Sequence, residues 1–141
     1  MDAKLKEAIM RAVDEEPLAR QFNMKLVALE TGRSTVEMNY DPSSMSNIYH
    51  RAHGGALFAL IDEAFETAGQ THGTIAVAMN VNVTYMASPD PGARLRAEAV
   101  EINRTKRTSS YDIKVFDENR QLMAVCHALA FRTGKPISFI P

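Results

Sequence analysis

The residues best equipped for chemistry stand together between positions 50 and 70, in the stretch HRAHGGALFALIDEAFETAGQ. Gly54 and Gly55 open an apolar run whose spacing predicts a helix over 54–70. The first N–H groups of a helix lack intrahelical partners, and the helix dipole gives them partial positive charge. Glycine there lets a ligand approach the backbone closely. Such a start can hold the negative charge that develops on a polarised carbonyl oxygen. Asp62, in the third turn, offers the complementary group, a carboxylate able to act as general base or nucleophile. The competing reading ties Asp62 to a structural partner, because burying a lone carboxylate is costly.

Helix geometry decides where these groups can meet. At about 100° per residue, Leu57, Leu60, Ile61, Ala64 and Ala68 share one face, expected to pack on a sheet. Asp62 falls on a flank with Phe58, Phe65 and Gly69, and Glu66 lies about 40° from it. Glu63 and Gln70 are expected to point outward. Eight residues of helix span about 12 Å. A base must come within about 3 Å of the reacting atom. Gly54 and Asp62 of one chain are therefore too far apart to serve one carbonyl. Two such helices, antiparallel about a two-fold axis between residues 54 and 62, would face Gly54 of one chain with Asp62 of the other.

Other polar residues offer less specific signals. His53 can contact a ligand or act as a base, but a histidine just before a helix also orders its loop. Asn47 is a candidate site amide whose competing reading is an amide that bonds its own backbone. No metal-ligand spacing joins His50, His53, His72 and His127, and no metal is expected. His127 lies in a core-like run and is expected to be a hydrogen-bonded core histidine. Cys126, the single cysteine, is expected to be a small buried residue and not a nucleophile.

The elements that must position these groups follow from periodicity. Residues 2–16 read as an amphipathic helix through Leu5, Ala8, Ile9, Ala12 and Val13, and Pro17 stops the pattern. Residues 22–40 alternate around Thr31-Gly32-Arg33 and read as a hairpin. Residues 41–53 read as a loop. After the long helix, strands are expected over 75–86, 93–103, 109–117 and 121–132. In the first of these, Ile75, Val77, Met79, Val81, Val83 and Tyr85 form one face expected to be buried. The second slips phase near Ala99–Val100, the mark of a bulge. The last is apolar on both faces and reads as central in its sheet. One α+β domain over 1–141 is expected, a mostly antiparallel sheet holding one long helix.

The 141 residues suffice for a single core, and the formal net charge of −1 argues against a nucleic-acid surface. One cysteine and no apolar leader or membrane-length run point to a cytoplasmic protein with no membrane partner.

Two stretches together carry a family resemblance. HGGALFALIDEAFETAG (53–69) and NVTYMASPDPG (82–92) resemble the hot-dog fold acyl-CoA thioesterases of the PaaI type. The resemblance covers roughly residues 20–132. It implies a sheet wrapped around the long helix, and dimers that assemble into tetramers. It also implies an acid at Asp62 that activates water or attacks the thioester carbonyl, and an amide at Gly54 that polarises that carbonyl. Asn47, six residues before His53, would help hold the carbonyl or the water. His53 and Gly55 would border the substrate. The chain departs from the pattern at Ala78, where some members carry a Ser or Thr that holds the water; Thr74 is the closest hydroxyl upstream. Arg104, Lys106 and Arg107, between two strands, form a cationic edge where relatives bind CoA phosphates. The substrate is then an acyl-CoA, aryl or medium-chain, and no cofactor is required. Two alternatives stand beside hydrolysis: an enoyl-thioester hydratase or dehydratase, and a non-catalytic acyl-CoA-binding protein.

Overall fold

A computed structural model describes residues 1–139. The chain runs α1 (Ala3–Glu15), α2 (Pro17–Gln21), β1 (Lys25–Glu30), β2 (Arg33–Asn39), α3 (Pro42–Met45), α4 (Gly54–Gln70), β3 (Thr74–Tyr85), β4 (Arg94–Arg104), β5 (Thr108–Phe116) and β6 (Leu122–Pro136). The six strands form one antiparallel sheet in the order β1-β2-β4-β5-β6-β3. The sheet curls around α4, which touches all six strands. Among the described residues, no helix is long and apolar enough to cross a membrane.

The expected apolar face of α4 is the core. Leu57, Leu60, Ile61, Ala64 and Ala68 are buried against Leu95, Ala97, Ile113 and Val115. Hydrogen bonds fix the helix's axial position: Ser34 Oγ meets Thr67 Oγ1 at 2.6 Å, and the Gly32 N–H donates to Thr71 Oγ1 at 2.8 Å. Gly32 takes φ +70° in the hairpin turn, a conformation natural to glycine. These bonds lock the hairpin onto the C-terminal half of α4.

Several expectations need correction. Glu63 and Gln70 do not point outward; both are buried, Glu63 with only 3% exposure. The helix is enclosed almost all round, so an outward direction from the sheet still meets protein. Pro17 ends α1 but also starts α2 as its first residue, the position where its missing N–H costs nothing. The loop 41–53 contains α3, capped by Asp41, and a bridge between Ser46 and Ala52. The β4 irregularity lies between Glu101 and Asn103, slightly beyond the expected slip. His127 is exposed, 3.2 Å from Asp112 Oδ1, because its face of β6 has no layer over it. Cys126 is buried as expected, and burial pushes its thiol up to about 11.

The alternating face of β3 is the largest departure. β3 is an edge strand, and Val77, Met79 and Tyr85 are exposed, Met79 by 58%. Its register against β6 shifts between Ala78 and Asn80.

Candidate active site

The open part of α4 is one narrow strip. Every residue from Ala56 to Gln70 is buried except Phe58, Asp62 and Glu66, and Gly54 and Gly55 at the helix start are also accessible. Gly54, Phe58, Asp62 and Glu66 follow one another at four-residue steps, so they line one edge of the helix. Phe58 is the midpoint between Gly54 and Asp62.

The helix start is built by its own loop. His53 is the N-cap, and its Nδ1 accepts the Gly55 N–H at 2.8 Å. In a neutral ring this leaves the proton on Nε2. A Cβ on Gly55 would lie 3.0 Å from His53 Nδ1, so glycine makes the cap possible. The Ala56 N–H goes to the His53 carbonyl. The Gly54 N–H has no partner among the described residues. Of the two glycines, Gly54 is thus the open donor and Gly55 is engaged.

Asn47 is held next to this start. The His53 N–H donates to the Met45 carbonyl, and the Asn47 N–H to the Arg51 carbonyl. Asn47 Oδ1 accepts the Tyr49 and Arg51 N–H groups at 2.9 and 3.1 Å. That is the backbone-bonding role read from sequence. It leaves the Asn47 amide N–H groups as donors without partners among the described residues. Ile48 and Tyr49, at the tip of the same loop, are 85% and 76% exposed.

Sequence reasoning missed Tyr85. Its hydroxyl donates to the Gly54 carbonyl at 2.9 Å, and its ring lies where a Cβ on Gly54 would sit 3.1 Å away. The sign available in sequence was a tyrosine at the end of the strand that follows the helix. Together with Ala52, Leu57, Met86 and Pro89 these residues frame a recess of about 330 Å³.

Asp62 opens a different recess, about 230 Å³, with Phe65, Glu66, Gly69, Ala76, Val77, Ala78 and Ala130. The two recesses share no lining residue. Partial burial raises the Asp62 carboxyl above its usual range. Burial, then the nearby Glu16 and Asp62 charges, raises Glu66 as well. Ala78 lies in this recess, and Thr74 does not border it; none of the lining side chains carries a hydroxyl. Glu66 is the polar side chain beside Asp62.

A third recess adjoins it. Glu16, Glu63 and Glu66 bring carboxylate oxygens within 4.8 Å of one another there, an oxygen-ligand set that histidine spacing could not reveal.

Arg104, Lys106 and Arg107 are exposed around the β4–β5 turn. Arg104 Nε lies 3.6 Å from Glu101 Oε1. Arg132 joins them: its guanidinium donates to the Thr105 carbonyl, and its N–H to the Arg107 carbonyl at 2.7 Å. Ala130, which borders the Asp62 recess, pairs with Ser109. The cationic turn therefore begins beyond the rim of that recess.

Comparison with known proteins places these features in a family. The sequence profile of the thioesterase superfamily matches residues 49–124. The acyl-coenzyme A thioesterase PaaI of Escherichia coli is 26% identical over 125 residues, covering 89% of each chain. Its structure superposes with a TM-score of 0.90, covering 96% of this chain and 97% of that one. A mutant of the phenylacetic acid degradation protein PaaI from Thermus thermophilus is 33% identical, with a TM-score of 0.79 over 83% of this chain and 99% of that one. A Streptococcus mutans protein solved bound to acetyl CoA is 27% identical, with a TM-score of 0.76 over 82% of this chain and 92% of that one.

Proposed function

The chain belongs to the thioesterase superfamily as a hot-dog thioester hydrolase of the PaaI type, and from that premise we propose that it hydrolyses an acyl-CoA to free acid and CoA at a site shared by two copies of the chain. The observation that carries this reading is the open strip on α4. It holds a free donor at Gly54 and a half-buried carboxyl at Asp62, in separate recesses about 12 Å apart along the helix. Neither recess is a complete site. An antiparallel pair of α4 helices crossing at Phe58 sets Gly54 of each copy against Asp62 of the other. The exposed apolar residues of β3, an edge strand with unpaired backbone groups, favour the same pairing. A pair of such dimers makes the tetramer.

In this site the thioester carbonyl oxygen points at the Gly54 N–H and the Asn47 amide. Asp62 takes a proton from water, whose oxygen bonds to the carbonyl carbon. The oxyanion is held by the two donors, one of which is worth roughly 3–4 kcal/mol of barrier. Collapse breaks the C–S bond, and CoA leaves as thiolate. Direct attack by Asp62 gives an acyl–enzyme anhydride that water then cleaves; heavy-oxygen water in a single turnover labels Asp62 on that route alone. The raised carboxyl suits either role, since it is more basic than an exposed aspartate. Ala78 offers no hydroxyl to hold the water, and Glu66, the polar side chain beside Asp62, holds it instead. Arg104, Lys106 and Arg107 bind the CoA phosphates, with His53 and Gly55 framing the entrance. No metal or redox cofactor enters this scheme. The relative solved with acetyl CoA supports CoA as the carrier.

Thiol release from aryl-, short- and medium-chain acyl-CoAs tests the proposal. Release by the wild type with loss in Asp62→Asn supports it. Conversion of an enoyl-CoA without thiol release would replace it with hydration, and tight binding without turnover would replace it with a binding role.

A further inference from the structure

We infer that the recess between α1, α4 and the start of β3 accepts a positively charged group, the primary ammonium at the far end of the acyl chain. This inference rests on reading the Asp62 recess as the acyl site.

The recess holds about 660 Å³ and is bordered by apolar Ile9, Val13, Ile75 and Val77 and by the carboxylates of Glu16, Glu63 and Glu66. Glu63 is buried, and its Oε1 has no hydrogen-bond partner. Among the described residues no Lys, Arg or His forms an ion pair with any of the three acids. A buried carboxylate oxygen left without a donor is expensive, and acids gathered without a cation repel one another. Burial, then the Glu16 and Glu66 charges, pushes Glu63 up to about 8, which is the response of a cluster that lacks a counter-charge.

The dimensions fit an ammonium. Its three N–H donors can each reach a different carboxylate at about 2.8 Å, so the oxygens around it must lie within about 5.6 Å of one another. Here they lie within 4.8 Å. The recess also adjoins the Asp62 recess, since Glu66, Ala76 and Val77 border both. Along α4, Asp62 and Glu66 are separated by about 6 Å, the reach of a short aliphatic linker. An acyl chain with its thioester at Asp62 thus delivers its far end to Glu66 and Glu63 along an apolar wall.

The test uses two non-hydrolysable thioether analogues of acyl-CoA, identical in length, one ending in a primary ammonium and one in a methyl group. Calorimetry on the intact protein reads their affinities for the wild type, Glu63→Gln and Glu66→Gln, with circular dichroism verifying the fold. The expected result is a preference of about tenfold or more for the ammonium analogue, reduced toward equality by each substitution. Equal or weaker binding of the ammonium analogue by the wild type overturns the inference, as does a preference that survives both substitutions. Mg²⁺ and Ca²⁺ are titrated alongside. A divalent ion that binds the wild type, is lost in Glu63→Gln and abolishes the preference reassigns the cluster to the free ion and also overturns it. The matching thioesters separate this result from the catalytic reading: preference without thiol release upholds the subsite and sinks hydrolysis, and thiol release without preference does the reverse.

Discussion

The Tyr85 hydroxyl donates to the Gly54 carbonyl at 2.9 Å, tying the last residue of β3 to the first residue of α4. Strand and helix start are thus one unit, and the Gly54 carbonyl is held by a residue thirty-one positions away. Tyr85→Phe removes one hydrogen bond and should lower stability by about 0.5–1.5 kcal/mol. It should lower kcat/KM more than that loss of stability accounts for. Thermal melts and thiol-release kinetics on the same preparation check this; unchanged kcat/KM would show that the pinning has no catalytic consequence.

Gly54→Ala separates the helix from the site. Alanine favours a helix by up to about 1 kcal/mol over glycine, which offsets the crowding of a Cβ 3.1 Å from Tyr85 Cζ. Stability should change little while kcat/KM falls about tenfold or more, because the tyrosine ring must move from the carbonyl pocket. A variant with full activity would remove Gly54 from the account.

His53→Ala removes the N-cap and frees the Gly55 N–H, at a cost of about 1 kcal/mol by analogy with other caps. His53→Asn keeps a capping side chain and should recover most of that stability. Melting temperatures of the two variants decide it: equal losses would mean that the cap contributes nothing.

Glu63 predicts a pH dependence of stability. Its carboxyl is raised from 4.5 to about 8 in the folded chain, so the folded form keeps a proton that the unfolded form has lost. Stability should therefore be full below about pH 4.5 and fall as pH rises to about 8. Glu63→Gln cannot titrate and should flatten that fall. Melting temperatures across this range test it; an identical fall in the variant would assign the effect elsewhere.

The fate of Glu63 also shows where the sequence could be read and where it could not. Periodicity located α4, its sheet-facing residues and the odd flank of Asp62, because these are properties of one helix. It sent Glu63 outward because nothing local reveals that α1 and the residues near Ile137 close over that side. His127 and the apolar face of β3 failed the other way. Their apolar neighbours signal burial, yet one chain supplies no layer to bury them. Gly54 and Asp62 stood out by residue type and spacing and Asn47 only through the family resemblance, while Tyr85 became visible only when β3 returned along the helix. The acid cluster was hidden because Glu16 joins it from another element.

Phe58 sits at the midpoint of the open strip, and on the proposed pairing it lies on the two-fold axis between the two copies. If that pairing forms, Phe58→Glu places two like charges on its axis and should break it, lowering the mass in solution with loss of thiol release. Light scattering with circular dichroism checks mass and fold together. A folded, active monomer would contradict the shared site.

Thiol release by wild type and Asp62→Asn, on the best substrate of an acyl-CoA panel, tests the central claim most directly. The account predicts a fall in kcat of about a hundredfold or more, with fold and oligomer intact. It also predicts that the wild-type acid limb lies above that of an ordinary aspartate, since the base form is lost as pH drops through a raised carboxyl. Asp62→Asn turning over at the wild-type rate would contradict the account and leave Asp62 a structural residue.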